Sequence, residues 1–178
     1  MWHIGRLNLS KQRRYWDSDI FLTLFNKERG KYEDCLGVLQ HAETNKVEIV
    51  TSALTIAEVL YIKGHPKITR EKSEKICSFF EQSYIIIVNV DRFIAESARE
   101  LIWDHSIKPK DAIHVASALK GKVPVFDTFD AGLLALDNKL GNPPLRIIKP
   151  NLPYQAEFQG EQFETQVVEE TKKRRTQK

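Results

Sequence analysis

The sequence predicts an α/β domain in three layers, α/β/α, around a mainly parallel sheet. Apolar, β-branched segments alternate along the chain with segments whose apolar residues recur every three or four positions, as strands and helices alternate in such folds. One segment, YIIIVNV at 84–90, is almost wholly apolar, which is typical of a strand covered on both faces. The 178 residues, 42% of them hydrophobic, are enough for one sizeable core.

The first predicted strand is short and ends in charge. Residues 14–17 form it, and the apolar run IFLTLF at 20–25 follows as the start of a helix. Between them, the stretch YWDSD places Asp17 and Asp19 one residue apart. A further helix is predicted over 31–44, because its apolar residues lie three and four positions apart.

The second unit joins an apolar strand to an apolar helix. VEIVTS at 47–52 predicts a buried strand, and Thr51 or Ser52 can cap the helix that follows. That helix, ALTIAEVLYIKG, is expected to stop at Gly64 and Pro66, since neither residue favours a helix interior.

The third unit places a strand between two helices. Thr69 opens a helix that runs through Phe80, and the apolar strand at 84–90 comes next. Asp91 then caps a helix over 92–104, because its side chain can accept from the free backbone amides of the first turn.

Two more strands complete the predicted sheet. Pro109 suits the first turn of the helix KDAIHVASALK, and Gly121 ends that helix. VPVF at 123–126 is the next strand, DTFDAGLLAL returns to helix, and LRII at 145–148 is the last strand.

The chain divides into a domain at 14–149, an N-terminal extension at 1–13 and a polar, basic C-terminal tail at 150–178. The tail has too few apolar residues to form a core of its own. Basic residues gather near both ends, which predicts either solvated segments or arms that contact RNA or a partner. They are Lys11, Arg13, Arg14, Lys172, Lys173, Arg174, Arg175 and Lys178.

Composition argues against several protein classes. The formal net charge of +3 is too small to indicate a nucleic-acid binder by itself. Cys35 and Cys77 each stand alone in a helical pattern, so neither a disulfide framework nor a zinc site is predicted. No apolar run reaches the roughly 18 residues needed to cross a bilayer, and the N-terminus lacks the apolar stretch of a secretory signal. We expect a cytoplasmic protein with no membrane contact.

Several acidic residues fall where such a fold opens its cleft. Asp17 ends the first strand, and Asp127 and Asp130 follow a later strand directly. Glu58 lies in an otherwise nearly uncharged helix, and Asp111 opens another apolar helix. Ligands of parallel α/β sheets bind beyond the carboxyl ends of the strands, so these acids are candidate site residues.

Each acid alone has a structural explanation. A salt bridge would account for Glu58, the helix dipole for Asp111, an N-cap for Asp130 and a turn for Asp17. Clustered carboxylates repel one another, however, and a hard divalent cation with oxygen ligands offsets that repulsion. Mg²⁺ or Mn²⁺ held this way can activate water for attack on a phosphodiester. The acids together therefore indicate metal-dependent phosphodiester chemistry.

Four segments, in order across about residues 14–148, resemble those of the PIN-domain ribonucleases, most closely the VapC-type toxins of type II toxin–antitoxin systems. The segments are YWDSDIFLTLF, TSALTIAEVL, KPKDAIHVASAL and VFDTFDAGL. TSALTIAEVL and DAIHVASAL are specific as a pair. The resemblance implies a PIN-like fold and an endoribonuclease that hydrolyses single-stranded RNA with a metal-activated water, leaving a 3′-hydroxyl and a 5′-phosphate. It also implies a homodimer and an antitoxin protein as partner.

The same resemblance implies which residues form the site. Ser18 and Thr128 match positions where the family often has hydroxyl groups that support the acids. Four acids match the family's catalytic set and would hold one or two Mg²⁺ or Mn²⁺ ions: Asp17, Glu58, Asp111 and Asp130.

Three further residues lie outside the family's pattern. Asp19 adds a carboxylate that could tighten metal binding or face solvent. Asp127 stands where an apolar or small residue is more usual, and could serve as an auxiliary ligand. His114 is interpreted as a structural residue rather than a general base, because it follows Asp111 on an apolar helix.

Two other functions stay open. YWDSD also resembles the start of the haloacid dehalogenase-like phosphohydrolases, with Asp17 as nucleophile and Asp19 as general acid. Phe21 stands where that family has Thr or Val, and no convincing glycine–aspartate loop follows. The second is a catalytically inactive PIN-like module that binds RNA or protein, although the presence of all four acids argues against it.

Overall fold

A computed structural model describes residues 11–60 and 69–155, and in these residues it has five strands and seven helices. The strands are β1 Gln12–Trp16, β2 Val47–Ser52, β3 Ile85–Val88, β4 Val125–Asp127 and β5 Arg146–Ile148. The helices are α1 Ser18–Asn26, α2 Tyr32–Glu43, α3 Ala53–Glu58, α4 Arg70–Phe79, α5 Arg92–His105, α6 Pro109–Lys120 and α7 Ala131–Leu134. The predicted order of strands and helices is confirmed.

The five strands form one sheet in the order β3-β2-β1-β4-β5, and every neighbouring pair is parallel. Strand β1 lies at the centre, and the chain moves outward from it in one direction through β2 and β3. It then crosses back to place β4 on the other side of β1. The direction of winding therefore reverses at β1, and the crevice at such a reversal is where parallel α/β sheets bind ligands.

Side chains of the central strands pack alternately on the two faces of the sheet. On β1, Trp16 joins one buried cluster and Tyr15 the other, and on β2 Ile49 and Val50 divide in the same way. Successive residues of a strand point to opposite faces, so the sheet is covered on both. Helices α1, α2 and α4 supply the first cluster, while α5, α6 and α7 supply the second. The predicted three-layer architecture is confirmed.

Polar side chains cap the amino ends of five helices. Asp17 accepts from the backbone N–H of Ile20 at 3.2 Å, and Asp130 accepts from that of Leu133 at 2.9 Å. Ser52, Thr69 and Asp91 cap α3, α4 and α5 in the same way. Each oxygen satisfies an amide that has no partner within its helix.

The ends of some elements differ from the predicted ones. Strand β1 begins at Gln12, two residues before the predicted start, because its first two residues are exposed and polar and carry no apolar signal, although they are in register with β2. Asp127 is the last residue of β4 rather than the first residue after it. Helix α3 ends at Glu58, and its predicted continuation at 61–64 with the stop at Gly64 and Pro66 lies outside the described residues. Apolar spacing does not show where helical hydrogen bonds end.

Arg14 corrects an expectation about the basic residues near the N-terminus. Its side chain is only 2% exposed and forms a buried ion pair with Asp127 of β4. Arg13, in contrast, is exposed and pairs with Glu48 of β2, with 3.0 Å between Nε and Oε2. A carboxylate on the neighbouring strand makes burial of a guanidinium possible, and the local sequence carries no sign of that partner.

The segment after β5 runs back across helix α2. The side-chain amide of Gln40 forms two hydrogen bonds with the backbone of Gln155, both 3.0 Å long. Gly37 lies beneath this segment, and a Cβ atom there would come within 1.9 Å of the Leu152 carbonyl oxygen. Residues 150–155, defined here as the C-terminal strap, are thus fixed to the domain. The division into a domain and two extensions remains a prediction, since most of both extensions lies outside the described residues.

No helix in the described part of the chain is long and apolar enough to cross a membrane.

Candidate metal centre

Asp17 lies at the carboxyl end of the central strand, where it begins α1. It is 6% exposed, and burial raises the pKa of its carboxyl group to about 7, although a hydrogen bond from Thr128 opposes that rise. A carboxyl group with such a pKa is easily protonated near neutrality unless a positive charge is close. A cation bound at Asp17 would therefore stabilise the ionised form of its carboxyl group.

The turn after β4 is built around the hydroxyl of Thr128. This oxygen accepts from the backbone N–H of Asp130 at 3.0 Å, and the hydroxyl also bonds to the carboxylate of Asp17. The Thr128 backbone N–H donates to Ile148 O on β5 at 3.0 Å, which fixes the turn to the sheet. One hydroxyl group thus connects two of the four predicted acids.

Glu58 is held by two side chains of α6. Its Oε2 lies 2.8 Å from His114 Nε2, and its Oε1 lies 3.0 Å from Lys110 Nζ. Ser18 also hydrogen-bonds to this carboxylate. Burial alone would raise the pKa of Glu58, but the bonds to His114 and Lys110 outweigh burial and lower it to about 2. Glu58 is therefore an anion at every physiological pH.

Asp111 and Asp130 approach each other across the cleft. Burial raises the pKa of Asp111, and the negative charges of Asp130 and Glu58 raise it further. The pKa of Asp19 is also raised, first by partial burial, and Asp130 and Glu58 are among the charges that contribute. These carboxylates therefore share one electrostatic environment, in which each disfavours the ionisation of its neighbours.

Asp127 is directed away from this group of acids. It is fully buried, and Oδ2 accepts from Arg14 Nε at 2.8 Å and from Trp16 Nε1 at 3.1 Å. Arg14 Nη2 donates to Oδ1, so both oxygens of Asp127 have partners within the fold. The carboxylate connects β4 to β1 beneath the cleft.

Two contacts of the site have only a weak signal in the sequence. Lys110 and His114 are four residues apart, so they lie on the same face of α6, and both meet Glu58. His114 is 3% exposed, and its Nδ1 lies 2.9 Å from the Tyr15 hydroxyl. A carboxylate can only accept, so Nε2 donates to Glu58, and in the neutral ring Nδ1 accepts from Tyr15. The spacing indicates a shared face, but not that this face meets Glu58.

The chemistry of these side chains suits a hard divalent cation. Carboxylate oxygens are the ligands that Mg²⁺ and Mn²⁺ prefer, and the raised pKa values of Asp17 and Asp111 report negative charge or burial that a cation would offset. The positively charged ammonium group of Lys110 already lies beside the Glu58 carboxylate. Within residues 11–60 and 69–155, no three His, Cys, Asp or Glu side chains are already close enough together to hold one metal ion.

Comparison with protein-family models gives a match to the PIN domain over residues 14–139. The chain belongs to the PIN domain family. PIN domains are typically nucleases, and members of the family typically bind Mg²⁺. The predicted family and fold are confirmed, and a search of curated protein sequences gives no significant match.

Solved structures share the PIN fold at low sequence identity. A toxin–antitoxin complex from Klebsiella pneumoniae matches at 21% identity with a TM-score of 0.52, covering 78% of this chain and 98% of that one. The Mycobacterium tuberculosis toxin VapC20, which cleaves the sarcin–ricin loop, matches at 17% identity and a TM-score of 0.51, over 66% and 90%. VapBC2 from Rickettsia felis, bound to a DNA fragment from its promoter, matches at 16% identity and a TM-score of 0.53, over 78% and 98%. At these identities the likeness concerns the fold.

Proposed function

We propose that this PIN domain is a metal-dependent endoribonuclease that cleaves single-stranded RNA, and that it is the toxin of a toxin–antitoxin pair. The observation that carries the proposal is that four carboxylates share one electrostatic environment near the carboxyl end of β1, where the winding of the sheet reverses. These are Asp17, Glu58, Asp111 and Asp130. The likeness of the fold to VapC toxins supports the substrate class.

The side chains have separate tasks in the proposed reaction. Asp17, Glu58, Asp111 and Asp130 would hold Mg²⁺ or Mn²⁺. The bound ion would supply an activated water and neutralise the charge that develops on the phosphate. Thr128 orients Asp17 through its hydroxyl, and His114 orients Glu58 through Nε2. Ser18 adds a further hydrogen bond to Glu58.

We also propose that the chain acts in the cytoplasm and binds a partner protein. One of the similar structures is a toxin–antitoxin complex, and another is VapBC2. We propose that this chain likewise binds an antitoxin encoded with it, and that it forms a homodimer. Sedimentation of the purified chain, alone and with the product of a neighbouring gene, tests both statements.

The experiment that tests the metal site measures the melting temperature with and without Mn²⁺. A ligand at about 100 times its Kd stabilises by roughly 2.7 kcal/mol, which is on the order of 5–10 °C in Tm for a domain of this size. The four variants in which one of these acids is changed to its amide should not show this increase in Tm. Asp104→Asn, on the exposed end of α5, is the matched control and should keep it.

RNA cleavage then decides between an enzyme and a binding module. We expect the wild-type chain with Mn²⁺ to cut an end-labelled single-stranded RNA, leaving a 3′-hydroxyl and a 5′-phosphate, and the amide variants to leave it intact. Metal binding without cleavage would favour the alternative, an inactive PIN module that binds RNA or protein. Because the chain matches the PIN domain, the haloacid dehalogenase-like alternative is dropped.

A further inference from the structure

Each oxygen of the Glu58 carboxylate has a nitrogen partner on α6. Oε1 is bound by Lys110 Nζ at 3.0 Å and Oε2 by His114 Nε2 at 2.8 Å. The Glu58 side chain is only 12% exposed, so few directions of approach to its two oxygens remain. A cation that uses Oε1 as a ligand would lie close to the Lys110 ammonium, and the two positive charges would repel each other.

The surroundings of the two nitrogen atoms differ sharply. His114 is 3% exposed and is fixed from behind by the hydroxyl of Tyr15, which is itself fully buried. The side chain of Lys110 is 71% exposed, and a lysine carries its charge on a flexible four-carbon stem. Lys110 can therefore turn into solvent without any change in the core, whereas His114 cannot leave Glu58 without disturbing β1.

We propose that Lys110 is a built-in competitor of the metal ion. Its ammonium group neutralises Glu58 while the site is empty of metal, and it withdraws when a divalent cation binds Oε1, while His114 retains Oε2. This inference rests on the proposed metal site and adds a residue that sets its affinity. Glu58 is then a ligand through one oxygen, and Lys110 raises the metal concentration at which the site fills.

The competition follows from charge as well as from position. An ammonium group beside the bound ion repels it, so a cation binds Glu58 more tightly when Lys110 turns away. A bond between an exposed lysine and a carboxylate contributes little, so the competitor weakens metal binding without preventing it. Because Lys110 precedes Asp111 in the chain, its stem begins next to a second proposed ligand, and the released ammonium stays close to the site.

The test compares Mn²⁺ binding by isothermal titration calorimetry in the full chain and in three variants. Lys110→Met removes the charge and keeps most of the stem, and Lys110→Arg keeps the charge. Lys120→Met is the matched control, because Lys120 lies at the other end of α6 and pairs with Asp91 at 3.8 Å, away from the site. The side chains of Lys110 and Lys120 are 71% and 44% exposed, so none of these changes disturbs the core.

We expect the Kd of Lys110→Met for Mn²⁺ to be roughly two- to fivefold lower than that of the wild type. Lys110→Arg and Lys120→Met should have the wild-type Kd. An unchanged or higher Kd in Lys110→Met overturns the inference.

One further variant separates failure of this inference from failure of the proposed site. If the wild type binds Mn²⁺, Asp17→Asn does not, and Lys110→Met binds as the wild type does, then only the role of Lys110 is wrong. If neither the wild type nor Lys110→Met binds Mn²⁺, the metal site and the competitor are both wrong. Tighter binding in both methionine variants would show a general effect of charge, and would also overturn the inference.

Discussion

Asp17 is buried, although the proposed function requires its carboxyl group to be charged. Burial raises its pKa from the ordinary value of 3.8 to about 7. Between these two pH values the folded chain holds a proton that the unfolded chain has released. The free energy of unfolding of the metal-free protein should therefore fall as the pH rises through this window, and the contribution of Asp17 is up to about 4 kcal/mol.

Asp17→Asn tests this pH dependence. Asparagine caps a helix as well as aspartate does, so α1 keeps its first turn, while the titrating group is gone. We expect the variant to be more stable than the wild type at pH 8 and to match it near pH 4, as measured by urea unfolding in EDTA. Two stability curves that run parallel across this range would contradict the raised pKa.

Asp127 illustrates how a carboxylate near a site can have a structural role. Asp127→Asn leaves the guanidinium of Arg14 buried without its counter-charge, and removing one partner of a buried ion pair costs about 3–5 kcal/mol. We expect this loss in chemical unfolding, with an unchanged Kd for Mn²⁺ at a temperature where the variant is folded. Normal stability together with lost Mn²⁺ binding would instead make Asp127 an auxiliary ligand.

At the scale of elements, helix α7 begins at a residue with two proposed tasks. Asp130 caps this four-residue helix and is also a proposed metal ligand. Asp130→Asn should keep the cap and lose Mn²⁺ binding, while Asp130→Ala should lose both and cost about 1 kcal/mol of stability.

Helix α5 provides the comparison for that prediction. Asp91 caps α5 by the same type of bond, 2.9 Å long, and has no place in the proposed site. Its Asn and Ala variants should therefore reproduce the stability effects and leave Mn²⁺ binding unchanged, as measured by thermal unfolding and calorimetry. Loss of Mn²⁺ binding in Asp91→Asn would show that changing a capping residue can affect the site indirectly.

The elements were predictable because their signals are local. A parallel strand whose side chains pack on both faces is continuously apolar, as in β3, whose residues divide between the two clusters. A cap needs only a polar side chain before the first turn, as at Asp91. The contact between Lys110 and Glu58 was not predictable. It joins residues 52 positions apart in α6 and α3, and their meeting depends on how the two helices pack against the sheet.

At the scale of the whole molecule, the C-terminal strap closes the side of the domain that α2 forms. Gly37 lies inside α2, where alanine ordinarily stabilises a helix by up to about 1 kcal/mol. Here a Cβ atom would meet the Leu152 carbonyl oxygen at 1.9 Å. We expect Gly37→Ala to lower the free energy of unfolding by roughly 1–3 kcal/mol, measured by urea unfolding.

Removing the strap should reverse the effect of this substitution. In a chain that ends at residue 149, the added methyl group no longer meets Leu152, so Gly37→Ala should be neutral or stabilising relative to the shortened chain. The difference between the two backgrounds measures the coupling of Gly37 to the strap. Equal effects in both backgrounds would mean that the strap is not held against α2 in solution.

The central place of β1 has a consequence for the order of events on the ribosome. Strand β1 has to pair with β4, more than 100 residues later in the chain, and Arg14 stays without its counter-charge until Asp127 has been synthesised. Domains fold as units while such distant contacts form late. The four proposed ligands span residues 17 to 130, so they can come together only after residue 130 has been synthesised. A nascent chain therefore cannot carry the proposed nuclease activity while β4 is still missing from it.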